Sequence, residues 1–283
     1  MTTRRHFLLN SGLLLTAGTI LSSIPTLKAN TPASPRTQAK LQFGIASHSL
    51  RHFKFDEMLN LVLRVGIDRI AVKSVHVPLN SSDSQLIEFV QKAKQKGIEI
   101  YGAGTIYMKN EQEVEQAYHY AKTAGLKIII GSPNFELLKL CEKKSIETGV
   151  ILAIHNHGAS YSIYPSPLDA YERIKNLDKK IGLCMDIGHT MLIGQDVCEV
   201  AEKVIDRLYD VHIKDIPEDA KPDSCIEIGR GIIDIPNFLK TMMKLEYKGT
   251  LNIEFENYEN DPLPGIAECV GYLNGVMRML NTD

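Results

Sequence analysis

This chain has no basic excess: 32 Lys and Arg stand against 34 Asp and Glu, for a formal net charge of −2. That balance removes the electrostatic footprint that binding to a phosphate backbone requires, so nucleic acid is not an expected partner. Cysteine is scarce. Cys141, Cys184, Cys198, Cys225 and Cys269 are odd in number, scattered and free of CxxC spacing, which leaves no disulfide framework. Cys184 falls inside a strand-like run and reads as a small buried hydrophobe. A Gly-rich phosphate loop is also missing. FGIASHSLRHF, after the first strand-like run, contains no GxGxxG, and this counts against a doubly wound nucleotide-binding sheet. The stretch from Phe7 to about Ile24 is short and diluted by Gly, Ser and Thr, so a lasting membrane anchor is not expected.

That stretch, with Arg4 and Arg5 ahead of it and small residues around Ala29, has the layout of an export signal. TRRHFL resembles the twin-arginine pattern of bacterial signals, which pass folded proteins. The expected organisation is a signal over residues 1–29, a flexible leader over 30–40 and one catalytic domain over 41–283. The mature protein is then exported, periplasmic or secreted. Setting 29 residues aside from 283 leaves 254, close to the roughly 250 of a (β/α)₈ barrel.

Short β-type runs alternate with longer amphipathic stretches eight times. The runs are LQFGIA (41–46), RIAVK (69–73), IEIYGA (98–103), KIIIG (127–131), ILAIH (151–155), IGLCMD (181–186), LYDVHI (208–213) and LNIEFE (251–256). Helix-like pieces such as SQLIEFVQKAKQKG lie between them, several ending at Gly66, Gly97, Gly125 or Gly149, where glycine supplies a left-handed C-cap. The rhythm predicts a single-domain TIM barrel, an α/β fold with the helices outside.

Active sites of such barrels lie at the carboxyl ends of the strands. The polar residues there are His48; Lys73 and His76; Gly102 to Gly104 as accessible backbone; Asn134; His155, Asn156 and His157; Asp186 and His189; His212, Lys214 and Asp215; Glu254 and Glu256. Four of them form the natural set. His155, Asp186, His212 and Glu254 would make a mixed N/O shell suited to Mn²⁺, Co²⁺, Fe²⁺ or Zn²⁺. Without a metal, burying two carboxylates and two imidazoles near one axis costs several kcal/mol per unpaired charge. Alternation along a strand sends neighbours to opposite faces, so Glu254 is taken as the ligand and Glu256 as a substrate contact over the rim. In the same way His155 is the ligand, with His157 facing substrate. Lys73, held among aliphatics in RIAVKSVHVPL, can grip an oxygen or act as a base if desolvated. His48, His76 and His189 read equally as site residues or as hydrogen-bonded structural histidines. In CIEIGRGIIDIP, Gly229 and Gly231 flank Arg230, which either grips a substrate oxygen or sits in a surface turn ahead of a helix capped by Asp234.

DIGH at 186–189, DVHIKD at 210–215, GRGIIDIP at 229–236 and IEFE at 253–256 resemble the xylose isomerase-like barrel superfamily, in its sugar isomerase and epimerase branch, over about residues 41–280. The resemblance implies one divalent ion bound by residues of strands 5 to 8, of which Asp186, His212 and Glu254 match by position. Strand 5 departs from the epimerase pattern, because AIHNHG places His155 where those enzymes carry a glutamate that serves as one of two bases. A metal with one base still supports enolisation next to a ketone.

The chain also resembles secreted relatives linked to 3-keto-glycoside breakdown. The favoured expectation is therefore 1,2-elimination and hydration of a 3-keto-glycoside, a lyase/hydratase reaction. Isomerisation or epimerisation of a free ketose is the alternative. In the favoured scheme Glu254, Lys73 or His157 removes the C2 proton and His189 or Arg230 steadies the leaving oxygen, while His48, His76, Lys214 and Glu256 contact substrate. The expected partner is a small sugar or glycoside, and a homo-oligomer is compatible with the sequence. A phosphodiesterase reading conflicts with the charge balance, and a non-catalytic sugar-binding protein gives no reason for the ligand set.

Overall fold

The computed structural model describes residues 40–158, 163–221, 224–258 and 260–282. The expected signal and nearly all of the leader lie outside these residues. Among the described residues, eight parallel strands close into a barrel in sequence order, with β1 paired to β8. They are β1 (Gln42–Ala46), β2 (Arg69–Val72), β3 (Glu99–Met108), β4 (Ile128–Pro133), β5 (Ile151–His155), β6 (Ile181–Asp186), β7 (Leu208–Ile213) and β8 (Thr250–Ile253). The crossovers carry α1 (Phe55–Arg64), α2 (Asp83–Gln95), α3 (Glu111–Thr123), α4 (Leu138–Thr148) and α5 (Pro167–Ile174). After β6 come α6 (Ile187–Leu192) and α7 (Val197–Val204), after β7 comes α8 (Ile235–Lys244), and α9 (Leu263–Leu280) follows β8. No described helix is long and apolar enough to cross a membrane.

Local chemistry sets the element ends. Ser82 and Gln85 form a reciprocal capping box at the start of α2, and Asn110, Ser166 and Asp196 accept backbone N–H groups at the starts of α3, α5 and α7. Gly66, Gly97, Gly125 and Gly149 all take positive φ; at Gly149 (φ +79°) the turn closes α4 so that β5 can begin two residues later.

Most of the apolar core lies between the strands and the helices. Inside the barrel a smaller group, Ala71, Tyr101, Ile128, Ile130, Ala153 and Cys184, fills the side formed by β2 to β6. The β7–β8 side carries Asp210, His212 and Asn252, all buried. A barrel interior with one apolar and one polar side gives directional support to whatever stands above it.

Two strand ends differ from the sequence pattern. β3 runs on to Met108, with a register irregularity against β4 between Ala103 and Ile106. Gly102 and Gly104 are therefore packed mid-strand, where an added Cβ would lie 2.4 Å from Ile128 and 2.3 Å from the Ile130 carbonyl. They are not the open backbone expected after a shorter strand. β8 ends at Ile253, so Glu254 and Glu256 extend beyond the paired strand.

Candidate metal centre and its cavity

β5, β6, β7 and the end of β8 bring His155, Asp186, His212 and Glu254 together, with one ligand-type atom from each lying within 4.8 Å of all the others. His155 Nε2 is 3.0 Å from His212 Nδ1, and His212 Nδ1 is 3.2 Å from Glu254 Oε2. His155 Nε2 and Asp186 Oδ2 are 3.7 Å apart. All four residues are buried.

Asp186 is fixed by its neighbours. Its Oδ1 accepts the His189 N–H at 2.8 Å, which caps α6, and its backbone N–H donates to Asn156 Oδ1. Its backbone carbonyl accepts from Thr190 Oγ1 and Asn156 Nδ2. Oδ2 alone faces the other candidate ligands and the Lys214 ammonium. A buried carboxylate oxygen beside two facing imidazole nitrogens and a second carboxylate is a donor set that fits a divalent cation.

Lys214 stands in the middle of this set. Its Nζ lies 3.0 Å from Asp186 Oδ2, 3.0 Å from Glu254 Oε2 and 3.2 Å from Glu256 Oε2, and its side chain is 2% exposed. Burial opposes the ammonium charge, but the three carboxylates outweigh it and hold the lysine well above its usual range. Burial likewise opposes charge on Glu254, where His212 and Lys214 prevail and keep the carboxyl well below the usual range. Burial also disfavours a charged His212, but Glu254 raises it overall. For His155 the balance goes the other way: burial, then the His212 and His157 rings, outweigh the pull of Glu254 and keep it well below the normal histidine range.

Above the ligands is a cavity of about 230 Å³. It is smaller than the roughly 300–1,000 Å³ of sites for drug-sized ligands, and suits a small polar molecule. His48, Lys73, His157, His189, Lys214 and Glu256 reach it, as do His155 and Glu254. His48 Nε2 is 3.3 Å from Glu256 Oε1. Burial lowers Lys73, against the pull of Glu254 and Glu256. Burial and the neighbouring His189 bring His157 down to about 4, so its imidazole is neutral at neutral pH.

Thr105 and Tyr107, which were not anticipated from sequence, also line the cavity. The Tyr107 hydroxyl lies 2.9 Å from His157 Nε2, with the two rings stacked. The alternation TIYM at 105–108 was the available signal, hidden because the strand was expected to stop at residue 103.

Other candidates lie elsewhere. His76 is buried between Ser47 Oγ (2.9 Å) and the Leu50 carbonyl (3.2 Å), which makes it a structural histidine in place of a substrate contact. Arg230 is 56% exposed and held by Glu268 on α9, at 2.5 and 2.7 Å, away from the cavity. Its segment is the turn ahead of α8, which Asp234 caps. Asn134 donates to the Lys109 carbonyl and to Glu136. Asp215 is fully buried and accepts backbone N–H groups from Ile216, Gly229, Gly231 and Ile233. At Gly231 an added Cβ would lie 2.2 Å from Asp215 Oδ1, so the turn can wrap this carboxylate only with glycine there.

A larger cavity of about 380 Å³ opens at the opposite end, among the first residues of β2, β4, β5, β7 and β8. Its Arg69 is paired with Glu99 and Thr250, and its Lys127 with Glu99. The ionisable groups available for chemistry gather at the C-terminal mouth.

The chain is thus a closed parallel TIM barrel whose C-terminal mouth carries a His₂/carboxylate₂ group that could hold a metal ion. Residues 135–274, just under half of the chain, match the family described as xylose isomerase-like TIM barrel. Over 154 residues, 49% of this chain and 46% of the relative, it is 27% identical to the rhizopine catabolism protein MocC of Rhizobium meliloti. It is 30% identical over 155 residues to an inosose dehydratase of Histophilus somni, covering 48% of each chain. The chain thus spans about half the length of these curated relatives. Among solved structures, 3-keto-D-glucoside 4-epimerase YcjR from E. coli shares the fold with a TM-score of 0.67 at 15% identity, over 83% of this chain and all of that one.

Proposed function

We propose that this barrel is a divalent-metal-dependent enzyme that enolises a keto sugar and carries out 1,2-elimination and hydration of 3-keto-glycosides. The observation that carries the reading is the buried His155, Asp186, His212 and Glu254 cluster opening into a small cavity lined by a neutral imidazole and a lysine of lowered basicity. Bound by those four residues, the ion would act as a Lewis acid toward the sugar carbonyl and acidify the neighbouring C–H.

The chain's own residues divide the remaining work. His157, neutral and hydrogen-bonded to Tyr107, takes the C2 proton. The electron pair left at C2 forms the C1–C2 double bond as the C1–O bond breaks. The departing oxygen takes a proton and leaves as an alcohol, with His189 beside it. Water then adds across the double bond to give the free 3-keto sugar. Lys73 and Glu256, with His48, hold hydroxyl groups. Glu254 is a poor base here, since His212 and Lys214 stabilise its charge. The dehydratase name of the 30% identical relatives supports elimination next to a carbonyl over two-base epimerisation, as does His155 in place of a free carboxylate on β5. Export of the protein would bring it to glycosides outside the cytoplasm.

Proton NMR in D₂O of the Mn²⁺-, Co²⁺- or Zn²⁺-reconstituted protein with a 3-keto-glucoside tests this, alongside free ketohexoses and an EDTA-treated control. Aglycone release with deuterium at C2 is expected. Exchange in a ketohexose giving a new epimer or aldose, with the glycoside untouched, would overturn elimination in favour of an isomerase or epimerase.

A further inference from the structure

Asn252 sits inside the barrel on β8, in register with His212 on β7 and with Gly44 on β1. It is 0% exposed, and neither its Oδ1 nor its Nδ2 has a hydrogen-bond partner among the described residues. A buried amide without a partner costs about 1–3 kcal/mol, which an apolar residue at the same position would not incur. The other polar groups on this side of the barrel are committed. Asp210 accepts from the Tyr101 hydroxyl at 2.7 Å and from the Cys184 thiol at 3.7 Å, and Thr250 Oγ1 accepts from Arg69 Nε at 2.8 Å.

One neighbour has the complementary need. His212 Nδ1 faces His155 Nε2 and Glu254 Oε2, while its Nε2 is buried without a partner. An imidazole that offers one nitrogen to a metal carries its proton on the other, and that N–H requires an acceptor to fix the ring's tautomer and orientation. The two unmet groups are cross-strand neighbours on one inward face.

We infer that Asn252 is a positioning residue for His212: its carboxamide oxygen accepts the Nε2–H across one internal water, and so presents Nδ1 to the cluster. The inference rests on the metal reading for its consequence, and on the register of β7 and β8 for the contact itself. Asn252 touches neither substrate nor ion. Its role is to keep one ligand in a single ring orientation and protonation pattern before the ion arrives.

Two measurements separate the contact from the metal reading. Isothermal titration of Mn²⁺ and Co²⁺ into the metal-free protein is expected to show about a 10–100-fold loss of affinity in Asn252→Leu. Asn252→Ser, which keeps an acceptor, should recover most of it, and Asn252→Ala carries the same expectation as leucine should Asn252→Leu fail to fold. Independently, histidine ¹⁵N NMR of the metal-free protein is expected to show a His212 Nε2–H resonance, assigned through His212→Gln. In the leucine or alanine variant that resonance should shift and exchange at least about tenfold faster with solvent, as expected for a lost hydrogen bond worth about 1.4 kcal/mol. If wild-type protein takes up no metal, the metal reading fails while the NMR comparison still decides the contact. An unchanged His212 resonance in those variants, or its absence from wild type, would overturn the inference.

Discussion

His155 Nε2 and His212 Nδ1 face each other across 3.0 Å, with both residues buried at the base of the cavity. One divalent ion would engage both nitrogens together with Asp186 Oδ2, which the Lys214 ammonium now neutralises. Mn²⁺ or Co²⁺ at about 100 times its Kd is expected to stabilise the fold by about 2.7 kcal/mol. That corresponds to a rise in Tm of about 5–10 °C. EDTA should reverse it, and His155→Ala or His212→Ala should each remove most of it. A melting temperature indifferent to every ion tried would count against the metal centre.

Lys214→Met removes the ammonium shared by Asp186, Glu254 and Glu256. Breaking such a buried set by deleting one partner costs about 3–5 kcal/mol. Urea denaturation should show that loss in the metal-free protein and a smaller one with Mn²⁺ present, because the ion also compensates the carboxylates. Equal losses under both conditions would mean that the ion does not share them.

His157 gives the protein an acid-sensitive contribution. Burial brings its folded-state value to about 4, against about 6.5 unfolded, so the unfolded chain binds more protons between those limits. The associated stability is complete above pH 6.5 and is lost as pH falls toward 4. Partial exposure of the ring limits the effect to roughly 1–3 kcal/mol. His157→Gln should flatten the wild-type slope of unfolding free energy over this window; a parallel slope would contradict the assignment.

Asp215 should matter to stability through the backbone it organises. Its carboxylate holds four N–H groups at 2.9–3.1 Å. Asp215→Ala is expected to cost at least about 3 kcal/mol, since hydrogen bonds to a charged group contribute about 1.5–3 kcal/mol each. Asp215→Asn should cost less. Chemical denaturation of both variants checks the order.

Arg230→Ala should leave turnover of a 3-keto-glucoside nearly unchanged and alter stability by no more than about 1 kcal/mol, as for other exposed ion pairs. His157→Gln in the same assay should be far more damaging. A large loss of turnover in Arg230→Ala would bring that guanidinium back to the substrate.

The barrel was legible because its pattern is local and repeated: strand, helix, glycine, strand, with all eight strands found where the apolar runs lie. The convergence of His155, Asp186, His212 and Glu254 was legible too, since strand ends in a closed barrel converge by geometry and period-2 alternation picks the inward side chain. Strand length was harder to read. The TIYM alternation that continues β3 stands behind two glycines, which read as a strand end, and Tyr107 was missed with it.

The sequence by itself determined which residue types stand at the barrel mouth and which strands deliver them, because strand periodicity and helix caps act over a few residues. Only the tertiary structure decided what those residues meet. Arg230 pairs with Glu268, Asp215 turns to the loop at 229–233, His76 to Ser47, and Lys214 to three carboxylates from β6 and the end of β8. Each of these choices depends on competition among partners far apart in the chain, settled by distance and burial once the barrel has closed.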